Sequence, residues 1–185
     1  MRVISGIARG TKLDSRESNS TRPTLDRIKE NMFNLIQNNI QQDSIVLDLF
    51  AGSGQLGIEA LSRGATKCYF CDIDKEDITF IKKNIAKTHL EEKSEIIHDD
   101  FRNALNILKD KFDLIFIDPP YKSEFVEQSL EILYKKALLN NDGIIIVETD
   151  ETPKIQELLD SKAYINILKT KNYGRVTIFI ISFQN

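Results

Sequence analysis

The sequence has few cysteines, prolines and glycines, and it has no long hydrophobic segment. Two cysteines cannot form a disulfide framework, and 4 prolines with 8 glycines argue against a collagen-like or low-complexity chain. The longest apolar runs, at 114–117 and 144–147, are far shorter than the ~20 residues that cross a bilayer. The N-terminus lacks the apolar stretch of a secretion signal. We therefore expect a cytoplasmic protein with no membrane partner.

The remaining composition is that of an ordinary globular protein, and its 185 residues suit a single domain. The net charge of -3 is unevenly distributed: residues 1–34 contain seven Lys or Arg and four Asp or Glu, so they carry +3 and the remainder carries -6. A basic arm on an acidic body favours an anionic polymer as partner, although a solvated arm with scattered charges is the alternative.

Four basic side chains near the N-terminus are candidates for phosphate contacts: Arg9, Lys12, Arg22 and Arg27. Each one alone could equally be a surface or ion-pairing residue, so the prediction rests on the cluster. We expect a basic N-terminal extension over residues 1–40, built from a small β-hairpin within 2–13 and a helix opened by Pro23, followed by the main domain over 41–185.

In the main domain, short apolar runs alternate with stretches of helical spacing. The runs that we interpret as strands buried on both faces are 45–49, 68–71, 95–98, 114–117 and 144–147. Two further runs, 164–168 and 176–183, flank an Asn-Tyr-Gly turn and predict a C-terminal antiparallel hairpin. The fold class is therefore α/β: a doubly wound, mostly parallel, seven-stranded Rossmann-like sheet.

The first predicted strand leads into Gly52-x-Gly54-x-x-Gly57 and then a helix. Glycines there let the backbone approach a ligand at the carboxyl end of the sheet. The spacing alone also fits a dinucleotide site. Asp48 argues against a dinucleotide, because a carboxylate repels a pyrophosphate but attracts a ligand with ammonium and sulfonium groups.

Two later strand ends indicate that the ligand carries a nucleoside. Asp72 lies 20 residues after Gly52, where a carboxylate can accept hydrogen bonds from both ribose hydroxyls. Asp100 could bind an adenine amine and Phe101 could lie against the ring. A helix N-cap role for Asp100 and core packing for Phe101 are equally open.

The fourth strand of the sheet ends in Asp118-Pro119-Pro120-Tyr121. The two prolines carry no N–H, so the Pro119 carbonyl and the Asp118 carboxylate offer two acceptors for the two hydrogens of an exocyclic amine. Tyr121 can stack on the base that carries the amine. Positioning is then the main catalytic device, and the proton can leave to Asp118 or water. A plain strand-ending turn is the alternative.

Taken together, the motifs resemble class I S-adenosylmethionine-dependent amino-methyltransferases and, more narrowly, the RsmD family, which methylates the guanine N2 amine of 16S ribosomal RNA. The segments that carry the resemblance are Ser5-Gly6 with Arg9-Gly10, Arg22-Pro23-Thr24 with Asp26-Arg27, Val46 to Gly57, Glu59 to Ala65, and Asp118 to Tyr121. The match covers nearly the whole length. One departure is Asp72, where relatives often have Glu.

The resemblance implies that S-adenosyl-L-methionine is the cofactor and that no metal is needed. The cofactor would be bound by Asp48, Phe50, Gly52, Gly54, Asp72, Asp100 and Phe101, and the target amine by Asp118, Pro119, Pro120 and Tyr121. It also implies a monomer acting on small-subunit ribosomal RNA within a ribosomal particle. The base must lie in a loop or be turned out of its stack to reach the crevice.

Three alternatives stay open. An adenine-N6 or cytosine-N4 methyltransferase shares the Asp-Pro-Pro-Tyr logic, although 185 residues leave little room for a DNA-recognition domain. A nicotinamide-dependent oxidoreductase would need only the glycines and Asp72. A catalytically silent RNA-binding or assembly factor is the third. A metal site at Cys68-x-x-Cys71 is disfavoured, because strand residues three apart point to opposite faces.

Overall fold

The computed structural model describes residues 1–16, 23–120 and 123–184. The helices are α1 (Pro23–Leu35), α2 (Gln55–Ser62), α3 (Lys75–Thr88), α4 (Phe101–Ile107), α5 (Ser123–Lys135) and α6 (Thr152–Ser161). The strands are β1 (Ile45–Asp48), β2 (Lys67–Asp72), β3 (Ser94–His98), β4 (Phe112–Ile117), β5 (Leu139–Thr149), β6 (Ile165–Tyr173) and β7 (Val176–Phe183). None of the helices among the described residues has the length and apolar character needed to cross a membrane.

The strands form one seven-stranded sheet in the order β3-β2-β1-β4-β5-β7-β6. The first five pair in parallel, and β7 is antiparallel to both β5 and β6. The predicted doubly wound sheet and its C-terminal hairpin are therefore confirmed. The chain winds outward from β1 in both directions, so the carboxyl ends of β1 and β4 meet where a crevice forms in such sheets.

Strand lengths differ from the predictions at the polar ends. β5 begins at Leu139, five residues before the predicted apolar run, and its first part contains exposed Asn141 and Asp142. β6 continues to Tyr173 through exposed Lys169 and Lys171. Hydrogen bonding to a neighbouring strand extends these elements into sequence that has no apolar pattern.

Helices cover both faces of the sheet and create two apolar layers. One layer packs α1, α2 and α3 against the sheet, and the other packs α4, α5 and α6. Cys68 lies in the first layer and Cys71 in the second, as alternation along β2 requires. Both cysteines are free and buried.

The N-terminal segment is bound to α2 and is part of the first layer. It contains a single antiparallel bridge, between Arg2 and Lys12, instead of a full hairpin. The buried Glu59 carboxylate accepts hydrogen bonds from the N–H groups of Ile4, at 2.8 Å, and Ser5, at 3.0 Å. The side chain of Lys29 lies 3.5 Å from the same carboxylate. These contacts fix the start of the chain beside the sheet.

Candidate functional site

A cavity of about 710 Å³ opens at the carboxyl ends of the strands around β1 and β4. Eight of the residues predicted from the sequence line it: Phe50, Gly52, Asp72, Asp100, Phe101, Asp118, Pro119 and Pro120. The glycine turn and the Asp-Pro-Pro segment therefore share one cavity, although they are more than 60 residues apart in the sequence.

The glycine turn leaves open space where a side chain would otherwise lie. Gly52 has a φ of +53°, and a Cβ built on it would meet no atom within 4 Å. Its N–H donates a hydrogen bond to Asp72 at 2.8 Å. Gly54 also has a positive φ, but a Cβ there would lie 3.4 Å from Phe70 and Ile81. Gly52 thus borders the cavity, whereas Gly54 shapes the turn against the protein interior.

Asp48 holds this glycine turn in place from the protein interior. It is 2% exposed, it accepts a hydrogen bond from the Gly57 N–H at 2.9 Å, and it is not among the residues that line the cavity. Burial raises the pKa of Asp48 to about 7, and the charges of Asp118 and Asp72 add to this rise. Asp48 therefore holds β1 to the start of α2 and does not line the cavity.

Asp72, at the end of β2, has a rigid carboxylate at the cavity wall. One oxygen accepts the N–H of Gly52 and the other accepts the N–H of Asp74 at 2.9 Å. A carboxylate oxygen can accept more than one hydrogen bond, so both oxygens keep capacity for a ligand's hydroxyls. The short Asp side chain is therefore held in place by the backbone around it.

Aromatic rings form one wall of the cavity. The Phe50 and Phe101 ring centroids are 5.1 Å apart, and Phe125 lies 5.3 Å from Phe101. The Arg102 guanidinium lies 4.4 Å above the Phe101 ring. Phe101 is 4% exposed, so it packs in the core and also borders the cavity. Such a wall suits a flat, uncharged ring.

Asp100 is the N-cap of α4 and also lines the cavity. Its carboxylate accepts the N–H of Arg102 at 2.9 Å and forms a 2.8 Å ion pair with the Arg102 side chain. The helix-cap role weighed from the sequence is thus present. It is compatible with a ligand contact, because Asp100 still has surface in the cavity.

The Asp-Pro-Pro segment follows β4 directly, beside the end of β5. Ile117 pairs with Val147, and Asp118 and Glu148 are the residues that follow this last pair. Asp118 keeps an accessible face toward the cavity. Burial among the cavity walls, followed by the charge of Asp150, raises the pKa of Asp118 to about 6. Tyr121, predicted to stack on the base, lies outside the described residues.

Three of the predicted phosphate-binding residues lie outside the lining of the cavity. Arg9, Lys12 and Arg27 are exposed, and none of the three side chains forms an ion pair within the described part of the chain. Arg22 falls outside that part. Their position on the N-terminal extension is compatible with a contact surface separate from the cavity.

The lining residues that sequence reasoning missed include Arg16, Glu148 and Asp150. Arg16 reaches the cavity and forms ion pairs with Asp74 and, at 3.0 Å, Asp77. Glu148 and Asp150 line the cavity after the buried run of β5. The signal for Glu148 was present, because it follows the buried apolar run of a parallel strand just as Asp118 does. No local pattern indicates Arg16.

Comparisons with known proteins agree with this geometry. The chain is 39% identical over 183 residues to putative rRNA methyltransferase YlbH of Bacillus subtilis, with 97% of each chain covered. It is 39% identical to ribosomal RNA small subunit methyltransferase D of Haemophilus influenzae, with 88% of each covered. The structure described as putative methyltransferase yhhF from Escherichia coli superimposes with a TM-score of 0.83 at 26% identity, covering 100% of this chain and 98% of that one.

The crevice between β1 and β4 and these similarities define the class of the protein, which is a Rossmann-like methyltransferase. Residues 1–182 match the model of the family described as conserved hypothetical protein 95. The chain belongs to that family, and it is 34–39% identical to proteins named ribosomal RNA small subunit methyltransferase D.

Proposed function

We propose that this protein transfers a methyl group from S-adenosyl-L-methionine to the exocyclic N2 amine of a guanine in small-subunit ribosomal RNA. The observation that carries the proposal is the shared cavity: Asp118 and Pro119 border the same space as Gly52 and Asp72. A site for a base amine and a site for a nucleoside cofactor would therefore share one cavity.

The charges of the cavity fit a cationic cofactor. Nine acidic residues line it, whereas Arg16 is the single basic residue among the lining residues that the structure describes. A pyrophosphate would be repelled by this surface, which argues against the nicotinamide-dependent alternative. When bound, S-adenosylmethionine supplies a methyl group on a positively charged sulfur. The Asp72 carboxylate would hold the ribose, and Phe50 and Phe101 would border the adenine.

The chain's own contribution to the chemistry is to orient the amine and receive its proton. Two acceptors, the Asp118 carboxylate and the Pro119 carbonyl, would bind the two amine hydrogens and direct the nitrogen lone pair toward the methyl group. The new N–C bond would form as the bond between the methyl group and sulfur breaks. The nitrogen would then be acidic and would lose one proton to Asp118. A carboxylate with a pKa near 6 can accept this proton and release it to water. Tyr121 would stack on the base.

The substrate class comes from the relatives and from the basic extension. Similar proteins carry the name ribosomal RNA small subunit methyltransferase D. Arg9, Lys12 and Arg27 present exposed positive charge on the N-terminal extension, where it can bind phosphates while the base enters the cavity. We propose that the substrate is a small subunit that is assembled or nearly so, that the enzyme acts as a monomer, and that Arg22 adds to the contact.

Nucleoside analysis tests this function. Small subunits that lack the modification are incubated with the enzyme and labelled S-adenosylmethionine, then digested to nucleosides for mass analysis. The expected product is N2-methylguanosine. Labelled N6-methyladenosine or N4-methylcytidine would instead support the alternative amino-methyltransferase, and bound RNA without transfer would indicate a silent assembly factor.

A further inference from the structure

Glu148 is a half-buried carboxyl group of the cavity that the proposed reaction does not use. It lies in β5 directly after Val147, and Asp118 directly follows Ile117, which pairs with Val147. Adjacent residues of parallel strands at matched positions point to the same face of the sheet. Glu148 is therefore placed beside Asp118 at the cavity, where a base held by Asp118 would also lie.

The Glu148 carboxyl group is available to a ligand. Among residues 1–16, 23–120 and 123–184, no group donates a hydrogen bond to its carboxylate. A half-buried carboxyl group without a donor is costly in its ionised form, and the cost falls when it is protonated or bound. Burial, followed by the charge of Asp118, raises the pKa of Glu148 to about 8.

Guanine, adenine and cytosine each carry an exocyclic amine, but they differ in the hydrogen-bonding groups beside that amine. In guanine, the N2 amine adjoins the N1–H donor, and the O6 acceptor follows. In adenine and cytosine, the amine adjoins a ring nitrogen that accepts. A protonated carboxyl group carries one acceptor and one donor side by side, which is the complement of N1–H and O6.

We propose that Glu148 selects guanine, by accepting a hydrogen bond from the N1–H group and donating one to O6 while Asp118 holds the N2 amine. This inference rests on the proposed function, because it assigns the base to the same cavity. It makes Glu148 a specificity-determining residue, because guanine can form both hydrogen bonds with the protonated carboxyl group. With adenine or cytosine, the carboxyl group could form only one of the two.

A base analogue separates this role from a structural one. 2-Aminopurine keeps the amine at C2 but lacks the N1 hydrogen and O6. Once the methylated guanosine has been located, small subunits are reconstituted with guanosine or 2-aminopurine riboside at that position. We expect the wild-type enzyme to methylate guanosine about 10- to 100-fold faster, which is the discrimination typical of one paired two-bond contact.

Variants of Glu148 test whether this residue selects guanine. Glu148→Ala should lower kcat/KM for guanosine to the level of 2-aminopurine and leave the 2-aminopurine rate within a few fold. Glu148→Gln should restore most of the preference, because an amide also places one acceptor beside one donor. Glu157→Ala, an exposed carboxylate of α6, is the matched control and should keep the wild-type ratio. Binding of S-adenosylhomocysteine to each variant confirms that the cavity is folded.

The results distinguish a failure of the Glu148 inference from a failure of the proposed function. If Glu148→Ala lowers both rates equally, or if it keeps the guanosine preference, Glu148 does not read the base and the inference is wrong while the proposed function stands. If the wild-type enzyme methylates no guanosine at all, the proposed function fails and the inference falls with it.

Discussion

The carboxylate of Asp72 accepts a hydrogen bond from the N–H of Gly52 at 2.8 Å, which joins the end of β2 to the glycine turn 20 residues earlier. The same carboxylate is fixed from its other side by the Asp74 N–H. The acid that we propose as the ribose ligand is thus positioned by the turn that borders the cavity.

Replacing Asp72 should weaken cofactor binding. We expect Asp72→Ala to raise the Kd for S-adenosylhomocysteine by about 10- to 100-fold, because hydrogen bonds to a charged group contribute about 1.5–3 kcal/mol. Asp72→Asn should lose less, since an amide oxygen can still accept the Gly52 N–H. Isothermal titration calorimetry measures both. An unchanged Kd in Asp72→Ala would show that the carboxylate does not contact the cofactor.

The basic N-terminal extension should set the salt dependence of RNA binding. Removing two phosphate contacts with Arg9→Ala and Lys12→Ala should weaken binding and reduce the slope of log K against log salt by about 1.4–1.8. Lys169→Ala with Lys171→Ala, on the exposed part of β6, removes the same charge elsewhere and is the matched control. Filter binding over a salt series supplies the slopes. The role of the extension is refuted if both double variants behave alike.

Asp48 should make stability depend on pH. Burial raises its pKa to about 7 from an ordinary value of 3.8, so the folded chain holds a proton there that the unfolded chain has lost. This contribution to stability is complete below about pH 4 and is lost as the pH rises toward 7. Between these values it can reach about 1.4 kcal/mol per pH unit.

Asp48→Asn should remove that slope, because an amide does not titrate, while its oxygen can still accept the Gly57 N–H. Urea unfolding at several pH values between 4 and 8 gives the free energy of unfolding for each protein. The difference between variant and wild type should grow in favour of the variant as the pH rises. A difference that stays constant across this range would contradict the buried, protonated state of Asp48.

Much of the site was predictable because it follows buried parallel strands. Continuous apolar runs at β1 and β4 identified the sheet, and the polar residues directly after them identified the crevice. The structure brings Gly52, Asp72 and Asp118 to one cavity as that logic requires. Similar reasoning applied to β5 would have found Glu148.

Other features depend on contacts between distant segments, which no local pattern encodes. Arg16 reaches the cavity because the Asn84 side chain bonds the backbone of Asp14, 70 residues away, at 2.7 and 2.8 Å. The burial of Asp48 behind the turn depends on how closely α2 packs on β2: a Cβ at Gly57 would lie 2.3 Å from Phe70. The sequence gives the charge and spacing of Arg16 and Asp48. It does not indicate that the Arg16 side chain lines the cavity or that the Asp48 side chain lies behind the turn.

We propose that Asp118 acts on the base amine and that the cavity binds the cofactor independently of Asp118. The most direct measurement compares Asp118→Ala with wild type for S-adenosylhomocysteine binding and for methyl transfer to unmodified small subunits. Asp142→Ala, an exposed carboxylate of β5, serves as the control. We predict that Asp118→Ala binds the cofactor product with a Kd close to that of wild type and transfers no methyl group. Lost binding together with transfer that proceeds normally at saturating cofactor would contradict the account.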